Sequence, residues 1–182
     1  PLDGPEVLPL PALTQDRDQA MRDRSEYGCC ILTDVLSPER IAFLKTKMDQ
    51  QYEAEESLGE LTPDRGRSNK IVIPNLINKG QHYLELVSHE DTEALASHVL
   101  GKQWLLSSLT AHMFKGTTPA VELVHRDQGQ VPASLAQPAL FTLFYLPADF
   151  TPAPGSPVVF PGTHRWPVAH RAPPPPAAPR PL

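Results

Sequence analysis

Cysteine is nearly missing from this chain: there are two in 182 residues, and they are neighbours, Cys29 and Cys30. Adjacent cysteines rarely close an unstrained bridge. A disulfide framework is therefore excluded, and both thiols are expected as small buried apolar groups in a reducing compartment, the cytoplasm. A basic excess is lacking too. Sixteen Lys and Arg face twenty-one Asp and Glu, a formal net charge of −5, and this removes the electrostatic footprint of a nucleic-acid binder. No apolar run has membrane-spanning length. Residues 7–13 are too short and proline-rich for the apolar core of a signal peptide. There is no Gly-rich phosphate loop, no Cys-x-x-Cys pair, no Gly-x-Ser-x-Gly elbow and no internal repeat.

What is abundant is proline, 22 residues clustered at both ends and between apolar segments. Residues 1–13 read as an extended arm, and 15–26, dense in Asp, Arg and Gln, as an exposed helix. Tyr27 to Thr33 reads as a strand. Ser37-Pro38 supplies an N-cap and an N1 proline, and Ile41, Leu44, Met48 and Tyr52 then recur at helical spacing to about Glu56. Lys70 to Ile73 reads as a strand stopped by Pro74. Helices are expected near 81–88 and 91–100, the second capped by Asp91. His82, His89 and His98 fall in this region and are read as exposed or satisfied side chains. From Gln103 the period becomes two: Leu105, Leu109, Ala111 and Met113 share one face, Leu106, Ser108, Thr110 and His112 the other. Leu140 to Leu146 reads as a buried central strand, and Val158 to Phe160 as a short one. The proline-rich end, 172–182, reads as polyproline II or disorder. Helices first and antiparallel-type strands afterwards predict an α+β class. The boundaries expected are an arm and exposed helix at 1–24, a domain at 25–171 and a tail at 172–182.

The chemistry concentrates in Val121-Glu122-Leu123-Val124-His125-Arg126-Asp127-Gln128. On an extended strand, positions i and i+2 share a face. His125 and Asp127 would then project side by side. An imidazole and a carboxylate are two of the three groups in the facial triad that holds non-haem Fe(II) and leaves positions open. The simpler reading is a solvated strand end.

Three blocks in order carry a resemblance: Leu106-Ser107-Ser108-Leu109-Thr110; His125-Arg126-Asp127-Gln128-Gly129; and Asp149-Phe150 followed by Gly155 and Val159-Phe160-Pro161-Gly162-Thr163-His164-Arg165-Trp166. With Tyr27-Gly28-Cys29-Cys30-Ile31-Leu32 upstream, the chain resembles the phytanoyl-CoA dioxygenase family over roughly residues 25–170. The resemblance implies a double-stranded β-helix (jelly-roll, cupin-like) with N-terminal helices. It implies an Fe(II)- and 2-oxoglutarate-dependent oxygenase acting on a C–H bond of a small organic substrate. His125 and Asp127 would be iron ligands, Phe144 and Thr110 would border the 2-oxoglutarate, and Gln128 and Asn75 would border the substrate. His164 belongs to a turn with a structural role.

The chain also departs from the family pattern, which places a distal histidine, and a basic residue for the 2-oxoglutarate carboxylate, well after the Pro-Gly-Thr-His block. Residues up to 182 supply neither, so the β-helix is expected to lack its C-terminal strands. His170 and His112 are the candidate substitutes for the histidine, Arg171 and Arg180 for the basic residue. Two further readings compete. One is a non-catalytic relative acting as a binding or scaffold protein, self-associating through exposed sheet edges. The other is a cupin-like zinc hydrolase, for which no general base stands at an informative spacing.

Overall fold

Ser37 and Pro38 start the longest helix. The Ser37 hydroxyl accepts the Arg40 N–H at 3.2 Å, and Pro38 occupies a first-turn position where no donor is lost. This helix, labelled α2, runs Pro38–Leu58 and stops at Gly59, whose φ of 70° only glycine adopts freely. Leu44, Tyr52 and Glu55 are buried along it, and Met48 packs at the same interface. The expected stripe is therefore the core face. The computed structural model describes residues 8–61, 70–114, 125, 127, 137–147, 158–165 and 180–181.

The stripe belongs to a core of Leu44, Tyr52, Ile73, Leu76, Tyr83, Leu86 and Ala111. Ile73 and Ala111 come from an antiparallel pair, β1 (Lys70–Ile73) and β2 (Ala111–Phe114), in the register Lys70↔Phe114 to Ile73↔Ala111. The ladder ends at Pro74, which has no N–H to give. Asn75 then turns the chain in the left-handed region (φ 55°) into a short 3-10 turn, Leu76–Asn78. The Leu76 N–H returns to Leu109 O at 3.0 Å. Helices α3 (Gln81–Val87) and α4 (Glu90–Leu100) follow.

An earlier helix, α1 (Arg17–Tyr27), is capped by Asp16, whose Oδ1 accepts the Asp18 and Gln19 N–H groups. Arg17 ties it to α4, with Nη2 2.7 Å from Asp91 Oδ1 and 3.1 Å from Glu90 Oε2. That bond explains one departure from expectation. Asp91 is occupied by Arg17, so His89 caps α4 instead, its Nδ1 accepting the Asp91 N–H at 3.3 Å. A second antiparallel pair joins β3 (Val158–Val159) to β4 (Arg180–Pro181).

The architecture is α+β. Among the described residues the strands form two separate two-stranded ladders. Three expected strands are shorter or absent. Of 103–113, only 111 onward is laddered: β1 ends at Ile73, and past Pro74 the chain returns only the Leu76 N–H to Leu109 O. Tyr27 to Thr33 makes one bridge, Leu32 with Thr14. Thr14 makes both bonds of that bridge, its N–H donating to Ile31 O and its carbonyl accepting the Thr33 N–H. Leu140 to Leu146 is unladdered, yet its exposure alternates as extended chain does: Thr142, Phe144 and Leu146 open, Phe141, Leu143 and Tyr145 turned inward. Residues 180–181 of the tail are paired with β3 and so depart from the unpaired extended tail expected there. No helix among the described residues is long and apolar enough to cross a membrane.

Candidate metal centre

The His-x-Asp pair converges. His125 Nε2 lies 3.3 Å from Asp127 Oδ1. Two ligands at right angles on one ion, with bonds of about 2.1 Å, stand about 3.0 Å apart, so the span suits neighbouring positions of one coordination sphere. The side chains are 66% and 41% exposed, which leaves both donors reachable. An imidazole nitrogen with a carboxylate oxygen is a donor set suited to a first-row divalent metal such as Fe(II). Among the described residues no group of three or more His, Cys, Asp and Glu side chains gathers to hold a metal.

Asp127 has a second partner that sequence reasoning missed. The Thr142 hydroxyl donates to Asp127 Oδ2. Thr142 comes from the 137–147 segment, on the same open face as Phe144. The signal was present: in the apolar run 139–146, Thr142 and Tyr145 are the two hydroxyls.

Tyr145 faces the other way and anchors this segment. Its hydroxyl lies 3.1 Å from Leu86 O and 2.8 Å from Thr92 Oγ1, and Thr92 Oγ1 is itself 2.9 Å from Leu86 O. Burial pushes the Tyr145 hydroxyl above its ordinary pKa, Thr92 opposing and Asp91 adding to it, so the group remains a donor. Its ring meets His89 edge-on, centroids 6.4 Å apart. The segment beside Asp127 is thereby fixed to the α3–α4 junction.

The other expected site residues divide. Phe144 is 56% exposed and shares the Thr142 face. Thr110 is exposed on the chain entering β2, and its Oγ1 lies 3.4 Å from His112 Nε2. Asn75 is exposed at the end of β1, where its backbone makes a left-handed turn that asparagine tolerates better than most residues. Gln128, His170 and Arg171 lie outside the described residues, and of Arg180 only the backbone is described.

His164 stands at a different place, against the C-terminus of α1. Its Nε2 is 3.3 Å from Ser25 O, Arg165 Nη2 donates to the same carbonyl at 3.3 Å, and the Gly162 N–H donates to Tyr27 O at 2.7 Å. The Pro-Gly-Thr-His turn thus serves carbonyls that the helix end leaves unpaired.

No solved structure matches the chain. The family described as Phytanoyl-CoA dioxygenase (PhyH) matches residues 25–180, which include the α2 helix, the β1–β2 pair, β3, the His125–Asp127 pair and the α1-capping turn. Matched over most of its length, the chain belongs to the phytanoyl-CoA dioxygenase family.

Proposed function

We propose that this chain is an Fe(II)- and 2-oxoglutarate-dependent oxygenase of a small organic molecule, with His125 and Asp127 as metal ligands. The observation that carries the reading is the 3.3 Å approach of an imidazole nitrogen and a carboxylate oxygen from the two ends of a His-x-Asp triplet, in a chain of this family. Bound there with 2-oxoglutarate, Fe(II) supplies the oxidation of a C–H bond by molecular oxygen. The chain's own part is to bind, orient and shield. Phe144 offers a ring on the face shared with Thr142 and is the residue proposed to lie against 2-oxoglutarate. Thr110, Asn75 and Gln128 are proposed at the pocket's edge.

The proposed frame is a double-stranded β-helix formed mainly by residues 25–171, with the helices described above packed on it. Residence in the cytoplasm is proposed from the thiols: Cys29 and Cys30 are unbridged, and burial, with smaller contributions from Cys30 and Asp23, pushes Cys29 up to about 11.

The test is anaerobic titration of the protein with Fe(II) and 2-oxoglutarate, monitored for the weak visible charge-transfer band of the ternary complex. The band is expected in the native protein and absent in His125→Ala. A silent titration at saturating iron, or a band that survives the substitution, would overturn the assignment, the first outcome leaving a non-catalytic relative.

A further inference from the structure

We infer that Thr142 is the positioning residue for the Asp127 carboxylate, an inference that rests on the reading of His125 and Asp127 as metal ligands. A carboxylate can present either oxygen, or both, to an ion, and an exposed one turns freely about its last torsion. Asp127 is 41% exposed, so burial does not fix its plane. The Thr142 hydroxyl does, by donating its one proton to Oδ2. That occupies the outer oxygen and leaves Oδ1, the atom beside His125 Nε2, for the ion. The result is a single-oxygen ligand held in place before any metal arrives, which is the part that second partners play at metal sites.

Thr142 is itself held. Three residues further on, Tyr145 is tied through its hydroxyl to Leu86 O and Thr92. Thr142 and Tyr145 point to opposite faces of one extended segment, so anchoring one side chain sets the height of the other. The line of contacts runs from the α3–α4 junction through Tyr145 and Thr142 to Asp127. Thr142 is exposed, so its replacement removes no core packing.

The experiment is titration with Co(II), an oxygen-stable stand-in for Fe(II), read by its visible absorption and by calorimetry. The proteins are the native chain, His125→Ala, Thr142→Val and Thr142→Ser. Thr142→Val is expected to weaken Co(II) about 10-fold or more, with an unchanged thermal midpoint. Thr142→Ser, which keeps the hydroxyl, is expected to bind as the native chain does. If Thr142→Val binds as tightly as the native chain, or Thr142→Ser loses as much as Thr142→Val, the positioning role is overturned while the metal site stands. If Co(II) binding to the native chain is absent or indifferent to His125→Ala, the metal-site reading itself fails and the inference goes with it. Should Thr142→Val fold poorly, Thr142→Ala takes its place, with the same loss expected and native-like binding overturning the role.

Discussion

At Gly28 the missing side chain makes room for a contact. This residue ends α1 with φ 81°, and a Cβ there would lie 2.4 Å from His164 Nδ1 and 2.7 Å from Cγ. Gly59 ends α2 in a similar backbone state, φ 70°, but faces open space. Gly59→Ala should cost about 1 kcal/mol, the left-handed penalty alone. Gly28→Ala should cost more, about 2 kcal/mol or above, because the capping turn must also move. Urea unfolding of both variants measures the difference, and equal losses would mean that the turn yields freely. At this scale the sequence was partly legible. The His125 and Asp127 side chains do meet, but not from the extended strand expected: neither is laddered, and Asp127 stands in a 3-10 turn. The bond from Thr142 was not legible, because it spans 15 residues and depends on where Tyr145 anchors its segment. Asn75 holds a left-handed turn after β1, which its letter permits but does not announce.

For the elements, helix ends were the most readable feature. Ser37, Pro38 and Gly59 bracket α2 through local hydrogen bonds that need no distant partner. Ser37→Ala should lower stability by about 1 kcal/mol, and Ser37→Asp should retain most of it. The check is a shift of the denaturation midpoint at constant slope, with no shift refuting the cap's contribution. Strands were less readable, for a physical reason. A period of two reports that side chains alternate, and an unladdered extended chain alternates as well. Residues 141–147 show this, with inward and outward positions in turn and no ladder. Whether a ladder forms depends on the neighbour's supply of N–H groups, and Pro74, just after β1, has none to give.

Across the whole molecule, two histidines couple the fold to pH. His82 packs edge-on against Phe43, centroids 5.5 Å apart. Its Nε2 is buried with no hydrogen-bond partner among the described residues. Burial first, then Lys47 and Arg40, push its pKa below 6.5, and Glu85 only partly offsets them. His164 is lowered as well, by burial, then by Arg165 and Arg24, against a raising contribution from the Ser25 carbonyl. Both sites favour neutral imidazole in the folded state. The unfolded chain then takes up protons near pH 6.5 that the folded chain refuses. Stability from these sites is complete above about 6.5 and is lost as pH falls through the lowered folded values. Replacing both with Gln should flatten the decline in thermal midpoint between about pH 6.5 and 5. A decline as steep as in the native chain would assign it to other groups. The α+β class was legible at this scale because helices and strands segregate along the sequence, whereas the pairing of β3 with residues 180–181 was hidden inside a proline-rich stretch.

The turn that caps α1 also has a temporal side. Ser25 and His164 are separated by 139 positions. During synthesis the first helix leaves the ribosome long before the imidazole and guanidinium that close it exist. Eleven residues are too few to hold a helix alone in water, and joining ends so far apart is entropically slow. The amino-terminal helix is therefore made first and completed late, so a nascent chain halted before residue 162 would carry it unfinished.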